Sequence, residues 1–252
     1  MTTRIFTPRD PRTVARDIPG ICDVLFPQIA PGVVLHFNRE AYSVEGCQAV
    51  PTNLTASSPL QHAMLFEIAI AAGEQLVDGN NNAINIADAI ELAIRRQKRH
   101  FDAKIPQNIT AVDEEIIDRV ANNLVRILKD VGGGLDAEII RSPHIPGFQW
   151  IASGSGDFAI GSRLIEVKCT NKPFSSSDYR QIMMYWLLSY ASSIEGGAPE
   201  WSDALLVNPR LNTVVEVNFD EVIQVVGAGR SKVDLLELFS SMIGDHALRM
   251  TS

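Results

Sequence analysis

Two short β-prone stretches, GDFAI and RLIEVKC, meet at Gly161-Ser162, and this junction restricts the fold more tightly than anything else in the chain. Gly-Ser suits a type II′ hairpin turn, whose first central residue needs a positive φ that glycine adopts without steric cost. A turn of this kind fixes the register of the strands it joins, and Asp157 then lies directly opposite Glu166. Side chains alternate along a strand, so Asp157, Ala159, Leu164, Glu166 and Lys168 share one face. Phe158, Ile160, Ile165 and Val167 share the other, the apolar one. Burying the apolar set therefore pairs the carboxylates.

The glycines of GSGDFAIGS invite a phosphate-loop reading, but the residues oppose it. No Gly-Lys-Ser/Thr triplet closes the loop, and the segment runs into a β-branched stretch where a dinucleotide fingerprint would open a helix. Opposed carboxylates, with Cβ atoms about 5 Å apart, repel each other and call for positive charge between them. Lys168, two residues on and on the same face, supplies one charge, and a divalent cation would supply the rest.

Along the chain, residues 1–58 are rich in proline and turn signals and read as irregular, with short strands such as VVLHF. Helical periodicity follows from Pro59 to about Val77 with Ser58 as N-cap, from about Ile84 to Lys104, and from about Asp113 to Val131. In the last of these, Ile116, Ile117, Val120, Leu124, Ile127 and Leu128 form one apolar stripe, which the triple glycine ends. Beyond it come strand candidates in AEIIRS, GDFAI and RLIEVKC, a helix YRQIMMYWLLSYA capped by SSSD, strands ALLV and TVVEVNF, and a closing helix KVDLLELFSSMI.

The 252 residues, 46% apolar and 21% charged, are enough for one large domain or an ordinary domain with an N-terminal extension. No basic start joined to an apolar stretch marks a signal peptide, and the most apolar run carries Glu67 within it, so a cytoplasmic protein without membrane contact is expected. Cys22, Cys47 and Cys169 are too scattered for a disulfide framework or a zinc spacing. A net charge of -8 excludes coating of nucleic acid by electrostatics alone. The densest basic segment is RRQKRH, where Arg95, Arg96, Lys98 and Arg99 could track a phosphate backbone or form a solvated helix end.

Asp157, Glu166-Val167-Lys168, and Gln181 with Tyr185 in QIMMY together resemble the PD-(D/E)xK nuclease superfamily; the QxxxY element is similar to that of RecB-type nucleases and of McrC-type restriction subunits. The resemblance spans about residues 113–219. It implies an α/β fold with a restriction-endonuclease-like α-β-β-β-α-β core, a mixed sheet flanked by helices, in residues 111–252. Residues 1–110 are expected to form a mainly helical extension for substrate or partner contact. It further implies a nuclease acting on nucleic acid, DNA in the first place, with Mg²⁺ or Mn²⁺ held by Asp157, Glu166 and the carbonyl of Val167. Lys168 would orient or deprotonate the attacking water, with Gln181 and Tyr185 facing the site or the strand. The position before Asp157 is Gly156, where the family name has proline. A ligand from the first helix stays open among Glu67, Glu114 and His62, with Glu67 preferred because its apolar neighbours bury it. Acidity and family together suggest a restriction or phage-defence component working with a protein partner or as a homo-oligomer. A nuclease fold that binds nucleic acid or a partner subunit without cutting is the alternative.

Overall fold

The computed structural model describes residues 8–17, 20–79, 84–97, 106, 108–133 and 138–251. Its N-terminal part is helical: α1 (Pro11–Asp17), α2 (Ile21–Leu25), α3 (Pro31–Arg39), α4 (Thr52–Ser57), α5 (His62–Val77) and α6 (Ile86–Gln97). The stretch VVLHF, expected as a strand, lies inside α3. Proline is the reason: Pro11 and Pro31 are the first residues of their helices, where a missing N–H costs nothing, so the same residues that punctuate a loop here start helices. Helix α5 begins at His62, later than expected. Ser58 instead ends α4 and donates its hydroxyl to Asp113. The far end of the expected second helix, residues 98–104, lies outside the described residues.

Helix α7 (Ala111–Val131) starts at a capping box, in which the Thr110 hydroxyl and the Asp113 carboxylate each satisfy the other's backbone N–H. Its six-residue stripe is wholly buried, as expected. Past Gly133, with φ +79, come β1 (Ile140–Arg141), β2 (His144–Ile145), β3 (Gly154–Ser155), β4 (Phe158–Ile160) and β5 (Arg163–Val167). Helix α8 (Ser176–Ile194) follows, capped by Ser175 and Asp178, then β6 (Asp203–Asn208), β7 (Thr213–Asn218), α9 (Phe219–Val226) and α10 (Lys232–Thr251).

Five strands form one mixed sheet in the order β1-β4-β5-β6-β7, and β2 pairs with β3 apart from it. Every neighbouring pair is antiparallel except β5 and β6, which run parallel and need α8 as their crossover. Helix α7 covers one face, with Leu124, Ile127 and Leu128 against Phe158, Ile165 and Val207. Helix α8 covers the other, where Leu164, Ala204 and Leu206 meet Met183, Tyr185 and Trp186. The face carrying the hairpin carboxylates is therefore as buried as its opposite: Ala159 and Leu164 are both fully buried. A strand with a parallel partner and a crossover helix is covered on both sides, which a one-sided alternation pattern does not convey.

The N-terminal helices close over α8, with Val14, Leu25 and Val34 in the same core as Tyr185 and Trp186. Helix α5 packs on α7, and Met64, Leu65 and Ile68 share a second core with Ile116 and Val120. Residues on either side of position 110 thus enter common cores. No helix among the described residues is long and apolar enough to cross a membrane.

Candidate functional site

The hairpin pairs Phe158 with Ile165, Ala159 with Leu164 and Ile160 with Arg163 across Gly161-Ser162, and Gly161 has φ +58. This is the expected register, and one step further along it sets Asp157 against Glu166. At Asp157 the chain leaves the ladder, because Gly156 gives its N–H to the carbonyl of Pro143 at 2.9 Å. The Asp157 side chain takes over: Oδ2 accepts the N–H of Val167 at 2.8 Å. Glycine at position 156 fits its surroundings closely. A Cβ there would meet Leu164 Cδ1 at 2.9 Å, and a proline would have no N–H for Pro143.

Glu166 is 1% exposed. Its Oε1 accepts from Lys168 Nζ at 2.8 Å and from Gln181 Nε2 at 2.7 Å, while its Oε2 is buried without a hydrogen-bond partner. Burial, and then the charge of Asp157, push its carboxyl up to about 7 against the opposing pull of Lys168 and Arg12. A buried carboxylate with one oxygen unanswered is expensive to keep charged, and the cost falls if a cation or a proton joins it.

Helix α8 organises the base of the site. Asp178, Gln181 and Tyr185 recur at three and four residues, so one stripe of the helix faces the end of β5. Asp178 lies 3.8 Å from Lys168 Nζ, and Gln181 Oε1 accepts from the same ammonium at 3.0 Å. Gln181 Nε2 also donates to the Tyr185 hydroxyl at 2.9 Å. Gln181 and Tyr185, each 1% exposed, therefore lie beneath the carboxylates and are closed off from solvent.

The fourth charged member comes from α1. Arg12 donates Nε to the Tyr185 hydroxyl at 2.6 Å and Nη2 to Asp157 Oδ1 at 3.1 Å. Burial works against its charge, but the carboxylates of Glu166 and Asp157 outweigh this and hold the guanidinium above its ordinary value. Nothing in the sequence isolated Arg12, which sits among several arginines in a proline-rich segment. Its position three residues from the structured bridge of Arg9 to Ile151 becomes informative only with the fold in hand.

These groups open onto a cleft of about 740 Å³ whose wall includes Glu67, Glu74, Arg95 and Arg96. Glu67 faces it from α5 but is held by Arg96 Nη1 at 3.2 Å; burial raises its carboxyl above the usual range, Arg96 opposes this, and Glu74 and Asp157 add to it. Glu74, absent from the expected set, is 7% exposed and shared between Arg96 and Arg141. Arg96 is thus tied to two carboxylates, whereas Arg95 is exposed and, among the described residues, paired only with Glu91 on the same helix. Lys98 and Arg99 lie outside the described residues. Glu114 is exposed on α7 and does not line the cleft. His62, exposed at the first turn of α5, borders a neighbouring cleft and does not line this one.

The donor set suits a hard divalent cation. Two carboxylates and a main-chain carbonyl offer oxygen only, and Oε2 of Glu166 is buried without a hydrogen-bond partner, so a cation there would offset its charge. The carbonyl of Val167 leaves β5 on the same edge as its N–H, towards Asp157. Among the described residues no three histidine, cysteine, aspartate or glutamate side chains are grouped to hold a metal, so water or substrate oxygens would complete the shell. No protein-family model, curated protein or solved structure matches this chain.

Proposed function

We propose that this chain is a metal-dependent nuclease with a restriction-endonuclease-like core, hydrolysing phosphodiester bonds of nucleic acid, DNA in the first place. One observation carries the reading. The hairpin register, carried one step past its last ladder pair, sets Asp157 opposite Glu166, whose carboxyl feels the Asp157 charge, with Lys168 two residues on and a buried Glu166 oxygen left without a partner. The order α7, β1, β4, β5, α8, β6, taking the strands of the main sheet, supports it, since it presents the residues on the element types the superfamily uses.

Asp157, Glu166 and the Val167 carbonyl would hold Mg²⁺ or Mn²⁺, which supplies Lewis acidity at the phosphoryl oxygens. Lys168 lines the cleft, where its ammonium would orient the attacking water and offset charge developing on the phosphate. Gln181 fixes the ammonium and Glu166 together from below, so neither reorients as charge moves. Tyr185 anchors both Gln181 and Arg12, which places a second cation on the Asp157 side of the cleft.

The alternative, a nuclease fold that binds nucleic acid or a partner subunit without cutting, draws on Arg12. Its guanidinium already neutralises Asp157 at 3.1 Å. Cleavage assays separate the two readings. Supercoiled plasmid, single-stranded DNA and RNA are incubated with Mg²⁺ or Mn²⁺ and with EDTA, using wild type and Lys168→Ala. Metal-dependent cleavage that falls about 100-fold or more in the variant supports the nuclease. Cleavage indifferent to Lys168→Ala opposes it. A restriction or phage-defence role with a partner protein, in the cytoplasm, is proposed beside it by analogy with the superfamily.

A further inference from the structure

Beside the carboxylate cleft lies a second one of about 420 Å³, bordered by His62, Phe66, Cys169, Thr170, Asn171 and Arg210. The two share Glu67, Ile70 and Val167 as a common wall. Past the end of β5, the chain that delivers Glu166 and Lys168 to the first runs on through Cys169–Asn171 into the second.

Arg210 is the unusual member. It is 6% exposed, its guanidinium carbon lies 4.6 Å from the centre of the Phe66 ring, and its Nε is sealed from solvent with no acceptor. Arg141 and Arg180 also leave an Nε unbonded, but each holds a carboxylate through its other nitrogens. Arg210 forms no ion pair with any described residue. A guanidinium with its Nε sealed and no anion beside it is unfavourable, and stacking on an aromatic face offsets only part of that.

The backbone beneath it is firmly held. The β6–β7 turn is fixed by Asn123 Nδ2 to the Pro209 carbonyl at 2.8 Å, by Val50 N–H to the Arg210 carbonyl at 2.8 Å, and by Asn212 Nδ2 to the Val44 carbonyl at 2.9 Å. So many bonds on one short turn place Arg210 in advance of any ligand, which suits a binding group more than a chance burial.

We propose that Arg210 is the anchor of a phosphate subsite, which takes a backbone phosphate of the nucleic-acid strand next to the one presented to Asp157, Glu166 and Lys168. A guanidinium matches the paired oxygens of a phosphate, and the missing anion is then the ligand itself. The identity of the strand as substrate rests on the nuclease reading; the capture of phosphate by Arg210 does not.

The test is fluorescence anisotropy in EDTA, where nothing is cut. It uses labelled single-stranded and duplex DNA, between about 50 and 200 mM salt. Arg210→Met keeps the packing on Phe66 and removes the charge; Arg210→Lys keeps the charge. Arg210→Met is expected to raise the Kd about 10-fold and to flatten the slope of log K against log salt by about 0.7 to 0.9, the value of one phosphate contact, while Arg210→Lys retains the slope. The Tm of Arg210→Met is expected to hold or rise, because an unpaired buried charge has gone. Affinity and slope equal to wild type, or a wild type that binds neither strand, overturns the subsite. An Arg210-dependent slope without metal-dependent cleavage would retain the subsite and reject the nuclease.

Discussion

Oδ2 of Asp157 accepts the main-chain N–H of Val167 at 2.8 Å, so a side chain completes the β4–β5 ladder where the backbone of β4 has turned away. The same carboxylate therefore has a structural duty and, on its other oxygen, a place in the charged cluster with Arg12. Asp157→Asn keeps a carbonyl oxygen for Val167 while removing the charge. It is expected to unfold within about 1 kcal/mol of wild type, yet to lose divalent-cation binding. Asp157→Ala also strands the N–H and should cost a further ~1–3 kcal/mol. Urea unfolding of both variants beside Mn²⁺ titration checks the split; equal stability of the two would deny the ladder role.

Glu166 makes stability depend on pH in an unusual direction for a carboxylate. Its folded value, raised from 4.5 to about 7, means the neutral form is favoured in the fold. The contribution of this residue is complete below about pH 4.5, declines as pH rises through about 7, and is gone above that. In EDTA, the stability of wild type relative to Glu166→Gln should fall over that interval and level off beyond it. A difference independent of pH would mean that Glu166 is not held in this environment.

Lys168 is 19% exposed at its side chain and bonds both Glu166 and Gln181. Lys168→Met keeps most of the stem and deletes the ammonium, leaving Glu166 without its nearest cation. The midpoint of the Glu166-linked pH dependence is expected to move upward, and metal-dependent cleavage to drop by about two orders of magnitude or more. A pH midpoint that stays in place would separate Lys168 from the buried carboxylate.

Arg12 competes for the same negative charge that a cation would use. With its side chain 43% exposed, its ion pair to Asp157 adds at most about 1 kcal/mol to stability. Arg12→Ala should therefore unfold close to wild type, yet bind Mn²⁺ several-fold more tightly in the absence of nucleic acid. Weaker Mn²⁺ binding would indicate instead that Arg12 is needed to hold Asp157 in place.

The hairpin was legible in the sequence because its determinants are local. Gly161 permits the tight turn, the turn sets the register, and the register brings Asp157 to Glu166. The same holds for the stripe of α7 and for Ser175 and Asp178 at the head of α8. What escaped depends on long-range packing. Arg12 reaches Asp157 across 145 positions of sequence, and Glu74 meets Arg141 across 67. Pro31 reads equally well as a loop residue or as the first residue of a helix, and only the packing of Val34 into the α8 core decides between them. The burial of Leu164 beside Glu166 likewise needs α8 in position over the sheet.

Calorimetric titration of the metal-free protein with Mn²⁺ near pH 7.5 addresses the pairing of Asp157 with Glu166 most directly. One saturable site is expected in wild type, abolished by Glu166→Gln and by Asp157→Asn, each still folded by circular dichroism. Absence of binding in wild type, or binding that survives both substitutions, would contradict the assignment of these carboxylates to a cation.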